Sequence, residues 1–271
     1  MKVLSLFSGG GLGDYGLELA GMEIAGQVEI DDYCQKILSL RWPDVPKWRD
    51  IQEFDGKAFV KEHGQPDIIS GGFPCQPFSF AGKRRGKQDD RYLWPEMLRV
   101  ISEIKPTFVL GENVPGIIKS ALDTVLFDLE TIGYTCQAFT IPACAVDAPH
   151  RRDRVWILAY CGYNGWCTKQ GEQQEKRPEI FNAGGNGNVA DTEGAKCQRV
   201  GRKTRTGGGK PRCGSWWQTE PNVGRVAHGI ANRVDRLKLL GNGQVVQVVQ
   251  WIGERIMEFE TTKSKKEEGN G

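Results

Sequence analysis

One cysteine stands in a setting that suits chemistry: Cys75, within Gly71-Gly72-Phe73-Pro74-Cys75-Gln76-Pro77-Phe78-Ser79. Two glycines and two prolines bracket the thiol and fix a loop directly after a short apolar strand, Asp67 to Ser70. In a doubly wound fold that end of a strand is where ligands bind. A thiol held there is a useful nucleophile once its pKa falls below the free value of about 8.5. Gly111-Glu112-Asn113-Val114 also follows a strand, Thr107 to Leu110, so Glu112 is placed to meet the thiol across a site as acid or hydrogen-bond partner. A third candidate is the turn Gly9-Gly10-Gly11-Leu12-Gly13 after the strand Val3 to Phe7. Glycines there let the backbone approach a ligand, and the helix that follows favours a negative group. The spacing matches neither G-x-G-x-x-G nor the phosphate loop G-x-x-x-x-G-K-[ST], so the turn alone leaves the ligand open. Glu29 ends the second strand, where a carboxylate suits ribose hydroxyls, and Asp50 is placed to accept from an adenine amino group. Glu29 also reads as a solvated strand-end carboxylate.

The elements that must position these groups follow from periodicity. Val3 to Phe7, the glycine turn, a helix over Tyr15 to Ala20 and a strand over Ile24 to Ile30 open a parallel doubly wound sheet. Leu93, Met97, Val100, Ile101 and Ile104 lie at helical spacing, Leu122 to Ile132 predicts another amphipathic helix, and Val155 to Tyr160 predicts a further strand. From Cys161 to about Val223 the texture changes to Gly, Asn, Gln, Lys and Arg with little periodicity, which marks an inserted domain. Order returns near Val226, and Val245 to Met257 predicts a helix that packs back on the sheet. The expected organisation is a catalytic and cofactor-binding domain over 1–160, a small domain over 161–223, a segment over 224–258 that completes the first, and a disordered polar tail over 259–271.

Two basic stretches stand apart. Lys83, Arg84, Arg85, Lys87 and Arg91 follow the cysteine loop. Lys196, Arg199, Arg202, Lys203, Arg205, Lys210 and Arg212 run without an intervening acid around Gly207-Gly208-Gly209. Both suit phosphate contacts, and both also read as solvated charged loops. The bulk charge is only +2, so a nucleic-acid partner rests on these clusters alone. With 271 residues, 39% hydrophobic and 26% charged, the chain suits a soluble globular protein with a full core. No apolar run reaches the roughly 20 residues of a membrane span, and the N-terminus lacks a signal peptide's pattern. An intracellular, cytoplasmic setting with free thiols is therefore expected for the eight cysteines. The intervals Cys161 to Cys167 and Cys197 to Cys213 are not the close pairs of a zinc site, and no metal is expected.

Taken in order, these motifs resemble the cytosine-5 DNA methyltransferase family over nearly the whole chain. Leu6-Phe7-Ser8-Gly9 through Gly16-Leu17-Glu18 is similar to the family's first cofactor motif. Pro74-Cys75-Gln76 resembles its nucleophile motif and Glu112-Asn113-Val114 its acid motif. Arg152-Asp153-Arg154 before Val155-Trp156-Ile157 resembles its R-x-R motif, and Arg233 through Asn242-Gly243 its closing motifs. The resemblance implies an S-adenosylmethionine-dependent, Rossmann-like α/β fold with a doubly wound, mostly parallel sheet and an inserted target-recognition domain. It implies that Cys75, Glu112, Arg152 and Arg154 are catalytic, with Arg154 holding the base carbonyl and Arg152 orienting Glu112. It implies cofactor contacts from Phe7, Ser8, Gly9, Gly11, Glu29, Ile30, Asp50, Ile51, Pro74, Leu93 and Asn242. Contacts to duplex DNA are implied for Ser79, Lys83, Arg84, Arg85 and Arg91 in a closing loop, and for Arg199, Arg202, Lys203 and Arg205 in the recognition domain. A monomer that flips its target cytosine, with a cognate restriction endonuclease as a possible companion, completes the expectation. An RNA substrate and a catalytically silent DNA-binding scaffold stand as the alternatives. The sequence departs from the family at Gly10 and at Leu12-Gly13, where a bulky residue and Gly-Leu are usual, and at His150, where glutamine is usual.

Overall fold

The computed structural model describes residues 1–74, 92–161 and 233–268. Seven strands form one sheet in the order β3-β2-β1-β4-β5-β7-β6. They are β1 (Lys2–Leu6), β2 (Glu23–Val28), β3 (Lys47–Trp48), β4 (Ile68–Gly71), β5 (Phe108–Asn113), β6 (Thr135–Pro142) and β7 (Asp153–Tyr160). The first five run parallel, while β7 lies antiparallel to both β5 and β6. The chain reverses direction across the sheet between β1 and β4, where a doubly wound fold opens a crevice. The expected fold class is therefore present.

The strands read as unbroken apolar runs because both faces are covered. Side chains alternate between two cores. Leu4, Ile69, Val109, Val155 and Ile157 face one, and Val3, Ile68, Phe108, Leu110, Trp156 and Leu158 face the other. The first core is closed by α3 (Gly56–His63), α4 (Trp94–Ile104), α5 (Ile117–Ser120) and α6 (Leu122–Thr131) through Phe59, Met97, Val100, Ile101, Ile117 and Val125. The second is closed by α1 (Leu12–Leu19) and α8 (Val246–Glu268) through Leu17, Val248, Val249, Ile252 and Ile256. Helices α2 (Asp32–Arg41) and α7 (Arg233–Asn242) flank the edge where the parallel strands end.

Helix α8 continues without a break to Glu268, through the polar stretch from residue 259. One aromatic side chain there still faces the sheet. Phe259 packs edge-on against Tyr160 at 5.3 Å and Phe108 at 6.2 Å between ring centroids. A turn further on, Lys263 Nζ donates to the Tyr160 hydroxyl at 2.7 Å. The second strand also ends two residues early, at Val28, because Glu29 turns its carboxylate back toward the glycine turn. No helix among the described residues is long and apolar enough to cross a membrane.

Candidate active site

All five parallel strands end on one edge, and β7 begins there because it runs the opposite way. That arrangement brings together the glycine turn after β1, Glu29 after β2, Asp50 after β3, Gly72-Phe73-Pro74 after β4, Glu112-Asn113 at the end of β5, and Arg152 with Arg154 at the start of β7.

The cofactor side is built from backbone. Phe7, Gly9 and Gly11 all take positive φ, at 55°, 56° and 76°. Gly11 caps α1, and a Cβ there would stand 2.4 Å from the Trp42 ring, so both conformation and space require glycine. Glu29 bridges the turn to α2. Its Oε2 accepts from Gly9 N at 2.7 Å and its Oε1 from Asp31 N at 2.8 Å, leaving a second acceptor site on each oxygen. Ser8 N donates to Val28 O at 3.1 Å, and the Ser8 hydroxyl lies 2.9 Å from that of Ser5. Ile30 is 63% exposed, an uncovered apolar side chain beside an acidic one. Asp50 is half-buried and accepts from Gln52 N, while Ile51 is buried in the core and its carbonyl accepts from Arg99 at 2.7 Å. Leu93 caps α4 and packs against the core, Pro74 is exposed, and Asn242 is exposed at the end of α7. Over the turn lies α7, whose Leu239 side chain occupies the space a Cβ on Gly10 would need. Lys238 ties it down with a 2.6 Å bond to Asp31.

Beneath the turn lies a carboxyl that periodicity does not reveal. Asp14 is buried and accepts from Ser5 Oγ at 2.5 Å and from Gln27 Nε2 at 2.6 Å. Burial pushes its pKa up to about 6, against the opposing effect of those two donors. The folded state therefore holds a proton that the unfolded chain releases near pH 4, and stability falls as pH rises from about 4 to 6. Two pKa units correspond to about 3 kcal/mol. Asp14→Asn should keep the packing and remove that slope. Urea melts from pH 4 to 7 should show the variant gaining on the parent across the window, by up to about 3 kcal/mol.

The acid side is built from side chains. Glu112 is 8% exposed, and its Oε1 pairs with Arg154 Nε at 2.9 Å. Burial holds its carboxyl above the usual range, opposed by the charges of Arg154 and Arg152 and by a hydrogen bond from the Gln244 side chain. Arg154 makes the ion pair with Glu112, and its Nη1 donates to Asp153 O at 2.8 Å. Arg152 takes a φ of 38° and lies close enough for its charge to act on Glu112. Its Nη2 donates to Gly241 O at 2.7 Å and Gly243 O at 2.6 Å, which clamps the α7–α8 turn. Asn113 Nδ2 donates to Phe73 O at 2.9 Å, and Phe73 is buried against Trp94, so the backbone entering the cysteine loop is anchored through residue 73. Cys75, Ser79, Lys83, Arg84, Arg85, Arg91, Arg199, Arg202, Lys203 and Arg205 lie outside the described residues, as does nearly all of 161–223. No group of three or more metal-binding side chains occurs among the described residues.

Fold and site together define a doubly wound α/β protein with a backbone-built ligand turn at one strand end and a buried, arginine-paired acid at another. Residues 1–206 match the C-5 cytosine-specific DNA methylase family, and the chain belongs to it. It is 36% identical over 165 residues to the type II methyltransferase M.PspPI of a Psychrobacter species, covering 58% of this chain and 39% of the relative. To the type II methyltransferase M.NgoMIV of Neisseria gonorrhoeae it is 30% identical over 190 residues, covering 66% and 59%. A crystal structure of a prophage-encoded DNA modification methyltransferase of E. coli superposes with a TM-score of 0.52 at 28% identity, covering 59% of this chain and 47% of that one. The matches span about two to three fifths of the length of these relatives.

Proposed function

We propose that the protein transfers the methyl group of S-adenosylmethionine to carbon 5 of cytosine in duplex DNA, with Cys75 as nucleophile and Glu112 as acid. One observation carries this reading. A buried carboxyl paired with Arg154 sits at the same sheet edge as the Pro74 backbone that leads into Cys75.

The turn suits the cofactor. Positive-φ glycines keep side chains away from the turn, Glu29 retains acceptor capacity, and exposed Ile30 offers an apolar surface for an adenine. Phe7, Ser8, Gly9, Gly11, Glu29, Ile30, Asp50 and Asn242 would hold S-adenosylmethionine, with Ile51, Pro74 and Leu93 shaping the walls. When bound, it supplies an electrophilic methyl group.

The chain's own residues do the rest. The Cys75 thiolate adds to carbon 6 of cytosine, and the electron pair moves to carbon 5 and toward N3. Glu112 meets that change by giving its proton to N3 and accepting from the exocyclic amine. The carboxyl's raised pKa suits this, because burial favours the protonated form that the transfer needs. Carbon 5 takes the methyl group and then gives its proton to water, the double bond re-forms as the thiolate leaves carbon 6, and N3 returns its proton to Glu112. Arg154 holds Glu112 in place throughout. Chemistry on a ring edge requires the base outside the stack. Lys83, Arg84, Arg85 and Arg91 are assigned to phosphates beside the site, with Ser79, and Arg199, Arg202, Lys203 and Arg205 to the recognition of duplex DNA. A monomer in a prokaryotic or phage-infected cytoplasm, paired with a cognate endonuclease, fits relatives named as type II methyltransferases.

Incubation with tritiated S-adenosylmethionine and mixed-sequence duplex DNA tests the reading. Nuclease digestion should return the label as 5-methylcytosine at one short recurring site. Label on RNA alone, or none with cofactor binding shown by calorimetry, overturns it.

A further inference from the structure

We propose that Gln244 is a positioning residue for the acid, its side-chain amide fixing the Glu112 carboxyl from the turn between α7 and α8. The role rests on the acid function given to Glu112 above and on where two glycines place the Gln244 amide. Gln244 hydrogen-bonds Glu112. Two glycines make room for it from opposite sides. A Cβ on Gly13 in α1 would run into the Gln244 amide oxygen. At Gly72, three residues before Cys75, a Cβ would stand 2.9 Å from Glu112 Oε2 and 3.5 Å from Gln244 Nε2. The amide thus sits where the cofactor helix, the cysteine loop's entry and the acid converge.

Three further features hold it there. Arg152 grips the carbonyls of Gly241 and Gly243, so the backbone just before Gln244 cannot swing away. Val248 and Val249, on the first turn of α8, are buried against the sheet. Arg154 occupies Glu112 Oε1, which leaves Oε2 turned toward the Gly72 side where the amide lies. Among the described residues the charged groups facing Glu112 are Arg154 and Arg152, both from the start of β7. Gln244 adds a neutral donor, which restrains the carboxyl's orientation without adding a third cation. Arg152 acquires a purpose in the same scheme: it holds the acid through Gln244 and not by direct contact.

The test compares the parent with Gln244→Met, which keeps the length and removes the amide, and Gln244→Asn, which keeps the amide one methylene short. The Glu112 carboxyl is followed by carbon-13 NMR of glutamate-labelled protein, assigned by subtracting the Glu112→Gln spectrum. Loss of the donated bond should move its titration to higher pH in both variants. S-adenosylmethionine affinity should stay within about threefold of the parent, and the single-turnover methylation rate should fall by about 10- to 100-fold, the range expected for a lost hydrogen bond to a charged group. An unmoved Glu112 titration in either folded variant overturns the proposal, as does a rate loss matched by lost cofactor binding. Should the parent itself transfer no methyl group, the functional reading fails while the titration still decides the role of Gln244.

Discussion

Cys75→Ala is expected to abolish methyl transfer, with a loss of at least roughly 10⁴-fold in single-turnover rate, because residues that act as a unit in covalent catalysis leave little behind when one is removed. Carbon 5 of cytosine is too weak a nucleophile to take a methyl group unless sulfur first adds at carbon 6, so the variant has no alternative route. The cleanest check uses duplex DNA carrying 5-fluorocytosine with S-adenosylmethionine present. Fluorine cannot leave carbon 5 as a cation, so the parent should remain attached to DNA through denaturing electrophoresis. The alanine variant should bind the same DNA and leave no adduct. An adduct that persists without Cys75 would assign the nucleophile elsewhere.

Glu112→Gln should cost about 10² to 10⁴ in rate, the span typical of a positioned acid. The substitution preserves volume but removes the proton that N3 needs. It also disturbs the local pairing. Arg154 presents a donor to one side of the carboxyl and Gln244 a donor to the other, so the new amide nitrogen must face a donor in either orientation. Stability should fall as well, since removing one partner of a buried ion pair leaves the Arg154 charge uncompensated. Thermal melts that show the variant folded at the assay temperature, and DNA binding within a few-fold of the parent, would separate this chemical loss from a folding loss. A variant that retained the parent's rate would remove Glu112 from the mechanism.

The fold was legible in the sequence wherever both faces of a strand are buried. Val3 to Phe7, Asp67 to Ser70 and Val155 to Tyr160 stand out as apolar runs and become β1, β4 and β7 within two residues at each end. Strand β6 escaped because it is an edge strand, half exposed, and its Thr-Cys-Gln-Ala-Phe-Thr run has no unbroken apolar stretch. Helices α2 and α3 escaped as well, though Asp31 and Asp55 each accept two backbone amides as N-caps, a signal the sequence carried. At the site, Glu112 and Arg154 were legible as residue types at strand ends. Their pairing was not, because which arginine of Arg152-Asp153-Arg154 faces the acid depends on the pleat of β7 and the positive φ at Arg152. Asp14 and Gln244 were missed for a common reason. Each matters through partners far along the chain, Gln27 for one and Glu112 for the other, and no local period encodes such a meeting.

The position of α8 has a consequence for how the chain is made. Its side chains wall the core shared by β1, β4 and β5, yet they lie more than two hundred residues downstream of the first strand. Until that helix has been synthesised, Val3, Ile68, Phe108 and Leu110 have only α1 to cover them on that side. Contacts this distant in sequence form slowly and leave sticky surface exposed meanwhile. A nascent or truncated chain is therefore expected to aggregate more readily than the full one. Gln244 reaches Glu112 from the turn just before that helix, so the step that covers the core also assembles the acid site.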